Sequence, residues 1–302
     1  MAVFGALFFK RTLKQFLDCD DLESSRGVAL IEKLRESSEE SIDLLLEAIA
    51  GSNGLHQAML SEICLELVGD TTEESFIKGL DSDATEIRTT TASILSKSSQ
   101  ISPTRLLIKL HEPNAPRAEI ISILEFQAAQ IKPEQIVSNA LKLDRADAEQ
   151  LIKLAYKSEQ SLDINLLHVE PASIANPSMK IMLLRYLGGV EQSEVAELIV
   201  RFLMDTNKTV VIEALKALKN LKVDFDASLL LSSFESMTNV VRELAFEIIE
   251  AHANADLVSK LAPLTCCKSD EMRETLIKLF AQHATTEGLE KYLQIGRVVV
   301  NQ

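Results

Sequence analysis

The 302-residue chain has no tryptophan, and aromatic residues make up only 5% of it. What remains is rich in Leu, Ala, Ile, Glu, Lys and Ser, a composition that suits helices. Ten glycines and seven prolines leave little room for long loops. Positive charge is also short: 31 Lys and Arg stand against 45 Asp and Glu, for a net charge of −14. That balance argues against nucleic acid, whose binders displace counterions with a basic surface, and against anionic membranes. There are four cysteines, Cys19, Cys64, Cys266 and Cys267, and none forms a C-x-x-C pair. No histidine lies near them in sequence, so they read as reduced thiols of a cytoplasmic protein and not as a metal site. No apolar run approaches the roughly 18 residues of a membrane span. Walker A, dinucleotide-binding and G-x-S-x-G signatures are absent, as is any zinc-ligand spacing. No cofactor is implied.

The N-terminal run Met1-Ala2-Val3-Phe4-Gly5-Ala6-Leu7-Phe8-Phe9 is apolar, but Lys10 and Arg11 follow it. A secretory signal places its charges before the apolar stretch. With Thr12-Leu13-Lys14-Gln15-Phe16-Leu17 the run forms an amphipathic helix, and Phe9, Leu13, Phe16 and Leu17 share one face. Residues 1–19 are therefore expected to cap the end of a helical stack. A peripheral membrane or partner anchor is the alternative, and the roles of Phe4, Phe8 and Phe9 stay open.

What the chain does have is a repeat. One pattern reads His56-Gln57-x-x-Leu60-x-x-x-Cys64, Ile87-Arg88-x-x-Thr91-x-x-x-Leu95, Pro116-Arg117-x-x-Ile120-x-x-x-Leu124 and Ala148-Glu149-x-x-Ile152-x-x-x-Tyr156. It continues at Met179-Lys180, Val210-Val211, Val241-Arg242 and Met272-Arg273, with Arg26 opening the series. Taking each second residue as position zero, those positions recur every 29 to 32 residues. A fixed period of this size means stacked supersecondary units. Positions 0, +3 and +7 share a helix face that is expected to pack inward. Small residues at +3 (Thr91, Ala214, Ala245) let helices approach, and Leu, Tyr, Ile or Phe at +7 fill the layer between units. The first unit departs from the pattern, because Lys33 occupies +7.

Each unit reads as two helices. The first helices are expected at 41–50, 72–80, 103–110, 133–143, 161–167, 191–204, 226–233 and 256–264. Pro103, Pro133 and Pro177 fall where a first-turn proline is tolerated. The turns Gly51-Ser52-Asn53-Gly54, Asp81-Ser82-Asp83, Glu112-Pro113-Asn114, Asp205-Thr206-Asn207 and Ser236-Met237-Thr238-Asn239 offer N-caps to the second helices. The expected organisation over 1–295 is a single all-α solenoid of about nine antiparallel hairpins. Repeats occupy 20–284, a half repeat 286–295, and 296–302 form a tail.

These residues resemble HEAT repeats, notably the short bacterial type. Asp83…Ile87-Arg88, Glu112…Pro116-Arg117 and Val241-Arg242-x-x-Ala245 fit best. The resemblance implies an Asp–Arg ladder between units, broken where Gln57, Glu149, Lys180 and Val211 replace the arginine. It also implies a scaffold function, since such arrays mostly hold other proteins. HEAT-like enzymes fit less well. The di-iron hydroxylases need several His-Glu dipeptides and this chain has one, His111-Glu112; the DNA glycosylases use Trp and a basic groove; nothing here supports a bilin lyase.

Two contrasts suggest a docking surface. Ile181 and Ile212 stand at the +1 offset, which elsewhere holds Thr89, Gln150, Glu243 and Glu274. Near them, Arg185 and the stripe Lys216, Lys219, Lys222 face an acidic stripe, Glu243, Glu247, Glu250, on the next unit. The stripes read either as a salt-bridge ladder or as a strip for a charged partner. The functional expectation is a non-enzymatic scaffold holding a protein or peptide, one with basic segments, on the face lined by second helices. The rivals are a HEAT-like enzyme or small-ligand protein, and a regulatory module of a longer signalling chain.

Overall fold

The computed structural model describes residues 2–234, 237–261 and 270–283, with Glu290. Among these, every regular element is helical. Cys266, Cys267 and the tail 296–302 lie outside the described residues, as does the expected half repeat apart from Glu290. The chain forms two compact units, Met1–Asp163 and Ile164–Gln302.

The first unit runs α1 (Ala2–Leu17), α2 (Ser25–Arg35), α3 (Ile42–Ala50), α4 (Gly54–Leu67), α5 (Glu73–Gly79), α6 (Thr85–Lys97), α7 (Pro103–Lys109), α8 (Arg117–Gln127), α9 (Pro133–Ala140) and α10 (Arg145–Ala155). Helices pair as hairpins, α1 with α2, α3 with α4, α5 with α6, α7 with α8 and α9 with α10. The even-numbered helices also pack in sequence, α2 on α4, α4 on α6, α6 on α8 and α8 on α10. The second unit runs α11 (Pro177–Leu187), α12 (Val195–Val200), α13 (Lys208–Asn220), α14 (Leu231–Phe234), α15 (Asn239–Ala251), α16 (Ala255–Leu261) and α17 (Asp270–His283). There α11 packs on α13 and α13 on α15.

The sequence pattern sits where its spacing requires. Every +3 residue, Leu60, Thr91, Ile120, Ile152, Leu183, Ala214, Ala245 and Leu276, is buried. Thr91 satisfies its hydroxyl by donating to Ile87 O at 2.7 Å, which lets a polar residue stand in a site otherwise apolar. Position zero does not pack inward as expected. Gln57, Glu149 and Arg273 are exposed, and only Val211 is buried. The +7 expectation fails at Tyr156, which is 54% exposed. The α-helix ends at Ala155, and Leu154 and Ala155 take the buried places. The first repeat is regular but one residue out of register: Gly27, Leu30 and Leu34 are buried, whereas Ala29 and Lys33 are exposed. Gly27 is required there, since a Cβ would stand 2.5 Å from Leu22 O.

One expected helix is absent. Residues 161–167 form no helix, and the first element of that repeat is reduced to a 3-10 turn at Pro171–Ser173. The buried residues of this stretch, Leu162, Leu167, Val169 and Ile174, come at spacings that no helix face can collect, and Pro171 removes a backbone donor. The boundary between the two units falls inside this stretch.

Capping is also sparser than expected. Among the described residues of the five turns, which exclude Ser236, only Asp205-Thr206-Asn207 supplies a side-chain cap, Asn207 accepting from Thr209 N at 2.9 Å. At Asp83 the guanidinium of Arg88 binds the turn instead, donating to the Ser82 and Asp83 carbonyls at 2.8 and 3.1 Å. Ser24 and Asp144 cap α2 and α10. Pro103, Pro133 and Pro177 open α7, α9 and α11.

Phe9, Leu13 and Phe16 of α1 are buried, and α1 packs on α2 and on the 3-10 turn Glu39–Ser41. Leu17, expected on the same face, is 39% exposed.

Candidate functional site

A concavity lies between α4 and α6. It is an open groove of about 590 Å³. Rows at i, i+4 and i+8 line it from each helix: Gln57, Ser61 and Leu65 from α4, Thr89, Ser93 and Lys97 from α6. Ala58, Glu62 and Thr90 complete the walls, and buried Ile49 and Ile94 form an apolar floor. Short side chains at facing positions of two neighbouring helices leave the space open. Gly54 starts α4 with φ of 60°, a left-handed conformation that glycine adopts without strain. Ser61 and Thr89 spend their hydroxyls on their own helix, donating to Gln57 O and Thr85 O. The side chains of Gln57, Glu62, Thr90, Ser93 and Lys97 make no hydrogen bond or ion pair among the described residues and remain available.

This groove was not singled out from sequence. Its signal was the run of short residues Ala58, Ser61, Thr89, Thr90 and Ser93 on two successive repeats. The +1 offset, read as partner-facing for Ile181 and Ile212, lines the groove at Ala58 and Thr89.

The residues singled out from sequence lie in the second unit. Ile181 on α11 and Ile212 on α13 are both half-buried, on helices that pack together. Arg185 Nε donates to Glu213 Oε1 at 2.6 Å. The opposed stripes meet at one pair, Lys219 Nζ to Glu247 Oε2 at 2.6 Å, with both side chains more than half exposed. Lys222 turns the other way, to Glu191 at 3.0 Å. Such exposed pairs contribute only about 0–1 kcal/mol each. Lys216, Glu243 and Glu250 are exposed.

The inter-repeat ladder is more complete than the arginine positions suggested. Arg117 Nη1 reaches Asp144 and Asp147 of the next repeat at 3.0 and 3.1 Å. Lys180 does the equivalent, donating to Asp205 Oδ2 at 2.5 Å with both groups largely buried. The lysine therefore continues the ladder instead of breaking it. Burial pushes the Asp205 carboxyl up, but the bonds from Lys180 and from the Asn207 N–H outweigh it and hold the group below the usual carboxylate range. Glu149 pairs within its own helix, to Arg145. Val211 lines a smaller cavity of about 270 Å³ with Met237 and Val241.

Other buried polar groups serve packing. Glu73, at the start of α5, accepts from Ser102 N at 2.9 Å and from Arg105 Nη1 at 2.6 Å. Glu134, at the start of α9, accepts from Asp163 N at 3.3 Å. Lys109 is pulled down by burial but raised on balance by its bonds to Asp81 and Glu112. Burial pushes the Cys64 thiol up to about 12, far from a reactive thiolate. His111, of the lone His-Glu dipeptide, bonds Asn139 Oδ1 at 2.8 Å. No cluster of three or more His, Cys, Asp or Glu suited to a metal occurs among the described residues.

No family model matches the chain, and no curated protein does. Among solved structures it is similar to the crystal structure of an engineered protein, at 14% identity and a TM-score of 0.34. That alignment covers 97% of this chain and 93% of the other, but at such a score the likeness carries no argument about fold or function.

Proposed function

We propose that the chain is a non-enzymatic scaffold, a HEAT-like α-solenoid of about nine hairpins whose second helices hold a protein segment or peptide. The observation that carries this reading is the α4–α6 groove. It is open and elongated along two successive second helices, and its uncommitted groups are donors and acceptors suited to a peptide backbone. A small-molecule site is typically more enclosed and more apolar. The Cys64 thiol, pushed up to about 12 by burial in the core, and the Asp205 carboxyl, lowered on balance in its ion pair, both sit in packing roles outside the groove. Polar bonds between residues about one repeat apart support the solenoid: Arg35–Glu66, Arg88–Glu119, Arg105–Glu74 and Arg201–Glu170 each span 31 residues. The net charge of −14 favours a basic segment as partner.

Selection of displayed peptides against the full chain tests this. The expected result is enrichment of Lys- and Arg-bearing peptides that fail to bind a Ser61→Arg/Ser93→Arg variant with unaltered thermal unfolding. Loss on Ile181→Glu/Ile212→Glu instead would move the site to α11 and α13. No enrichment on the native chain would remove the scaffold reading.

A further inference from the structure

We propose that the outward face of α1 docks on an anionic lipid surface. A helix that only caps a core needs one apolar face, and Phe9, Leu13 and Phe16 already supply it. The opposite side nevertheless carries Leu7 and Phe8, 63% and 62% exposed. Leu7, Lys10, Arg11, Lys14 and Leu17 follow one another at spacings of three, one, three and three, which places them on a single stripe, with Phe8 at its border. All of them are exposed, and the three cations have no ion-pair partner among the described residues.

Charge identifies the occupant. The chain as a whole carries −14, yet α1 holds three cations and no acid. The whole-chain balance argues against an anionic surface, but α1 reverses the sign locally, and its cations, unlike those of α7 and α11, are not neutralised by ion pairs. The acidic remainder would be repelled, which turns α1 toward the lipid. The nearest acids in sequence, Asp18, Asp20 and Asp21, follow the helix. At 1.5 Å per residue, Asp18 lies roughly 6 Å along the axis from Lys14 but roughly 10 Å or more from Arg11, Lys10, Phe8 and Leu7, so that part of the stripe is clear of acid on its own helix. Large apolar residues beside long cationic side chains suit the interface: the rings enter the headgroup boundary while the charged ends reach the phosphates. The helix is 16 residues long, too short to span, and no helix among the described residues is long and apolar enough to cross a membrane.

Vesicle co-sedimentation of the full chain tests the proposal, with phosphatidylcholine alone and phosphatidylcholine mixed with phosphatidylserine. Binding is expected only to the mixed vesicles and should weaken with added salt. Each cation near an anionic surface raises binding about fivefold. Lys10→Glu/Lys14→Glu should therefore lower it at least about twenty-five-fold. Leu7→Ser/Phe8→Ser should also release the protein, and because both side chains are exposed the thermal unfolding of these variants should match the native chain. Binding that the variants leave intact would overturn the proposal. So would failure of the native chain to bind either vesicle, which would leave this face to an acidic protein partner.

Discussion

Gly188 lies directly against Ala217. A Cβ on Gly188 would stand 2.8 Å from the Ala217 Cα and 3.0 Å from its Cβ. Gly188 closes α11 and Ala217 belongs to α13, so the two helices approach at a point where neither can carry a larger side chain. Gly188→Ala should therefore destabilise the second unit by about 1–3 kcal/mol through overpacking. Adding Ala217→Gly should recover part of the loss, because it removes one of the two clashing carbons. A double-mutant cycle by urea unfolding measures this, and strict additivity of the two changes would refute the contact.

Lys180 and Asp205 form the most buried ion pair of the ladder, with 12% and 6% of their side chains exposed. Lys180→Met leaves a carboxylate with only its Asn207 bond and should cost about 3 kcal/mol. The pH dependence has a definite sign. The folded Asp205 titrates below its unfolded value of about 3.9, so its contribution is complete above that value and disappears as pH falls through the folded one. In Lys180→Met the acid limb of the stability curve should be shallower than in the native chain. Unfolding free energies measured between neutral and acid pH distinguish the two.

Glu73 joins α5 to the next repeat through the Ser102 N–H. Glu73→Ala orphans that donor and should cost about 1–3 kcal/mol. Glu73→Gln keeps an acceptor and should cost less. The exposed pair Lys222–Glu191 provides the contrast: Lys222→Ala should change stability by less than about 1 kcal/mol. Equal losses at the two sites would contradict the assignment of Glu73 to a buried role.

Cys64 is fully buried, with its thiol pushed up to about 12. In the native chain at neutral pH it should resist alkylation, and it should become labelled only when denaturant unfolds the first unit. Peptide mapping by mass spectrometry after a pulse of reagent separates it from the other cysteines. Rapid native labelling would show that the core around α4 opens.

Much of the helical plan was legible in sequence because a helix face is set by local geometry. The +3 site is buried in all eight later repeats whether it holds Leu, Ile, Thr or Ala, since spacing, not residue type, decides which way it points. The failures fall where a helix ends, where none forms, or where an inward position carries no hydrophobic signal. Tyr156 sits at the C-cap of α10, just past the last α-helical residue. At 161–167 the buried leucines flank a turn that no helical period describes. The register of the first repeat was hidden because Gly27, an inward position without a side chain, carries no hydrophobic signal.

The candidate sites divide the same way. Composition and periodicity by themselves determined an all-helical chain, a step of about 31 residues and a cationic helix on an acidic protein. Each follows from properties of single residues and their spacing along one helix. Tertiary structure alone decided that Lys180 finds Asp205, that the opposed charge stripes meet only at Lys219 and Glu247, and that a groove opens between α4 and α6. Those outcomes depend on the distance and rotation between helices one repeat apart. A groove is the space that two facing rows of short side chains fail to fill, and no single row specifies what stands opposite it.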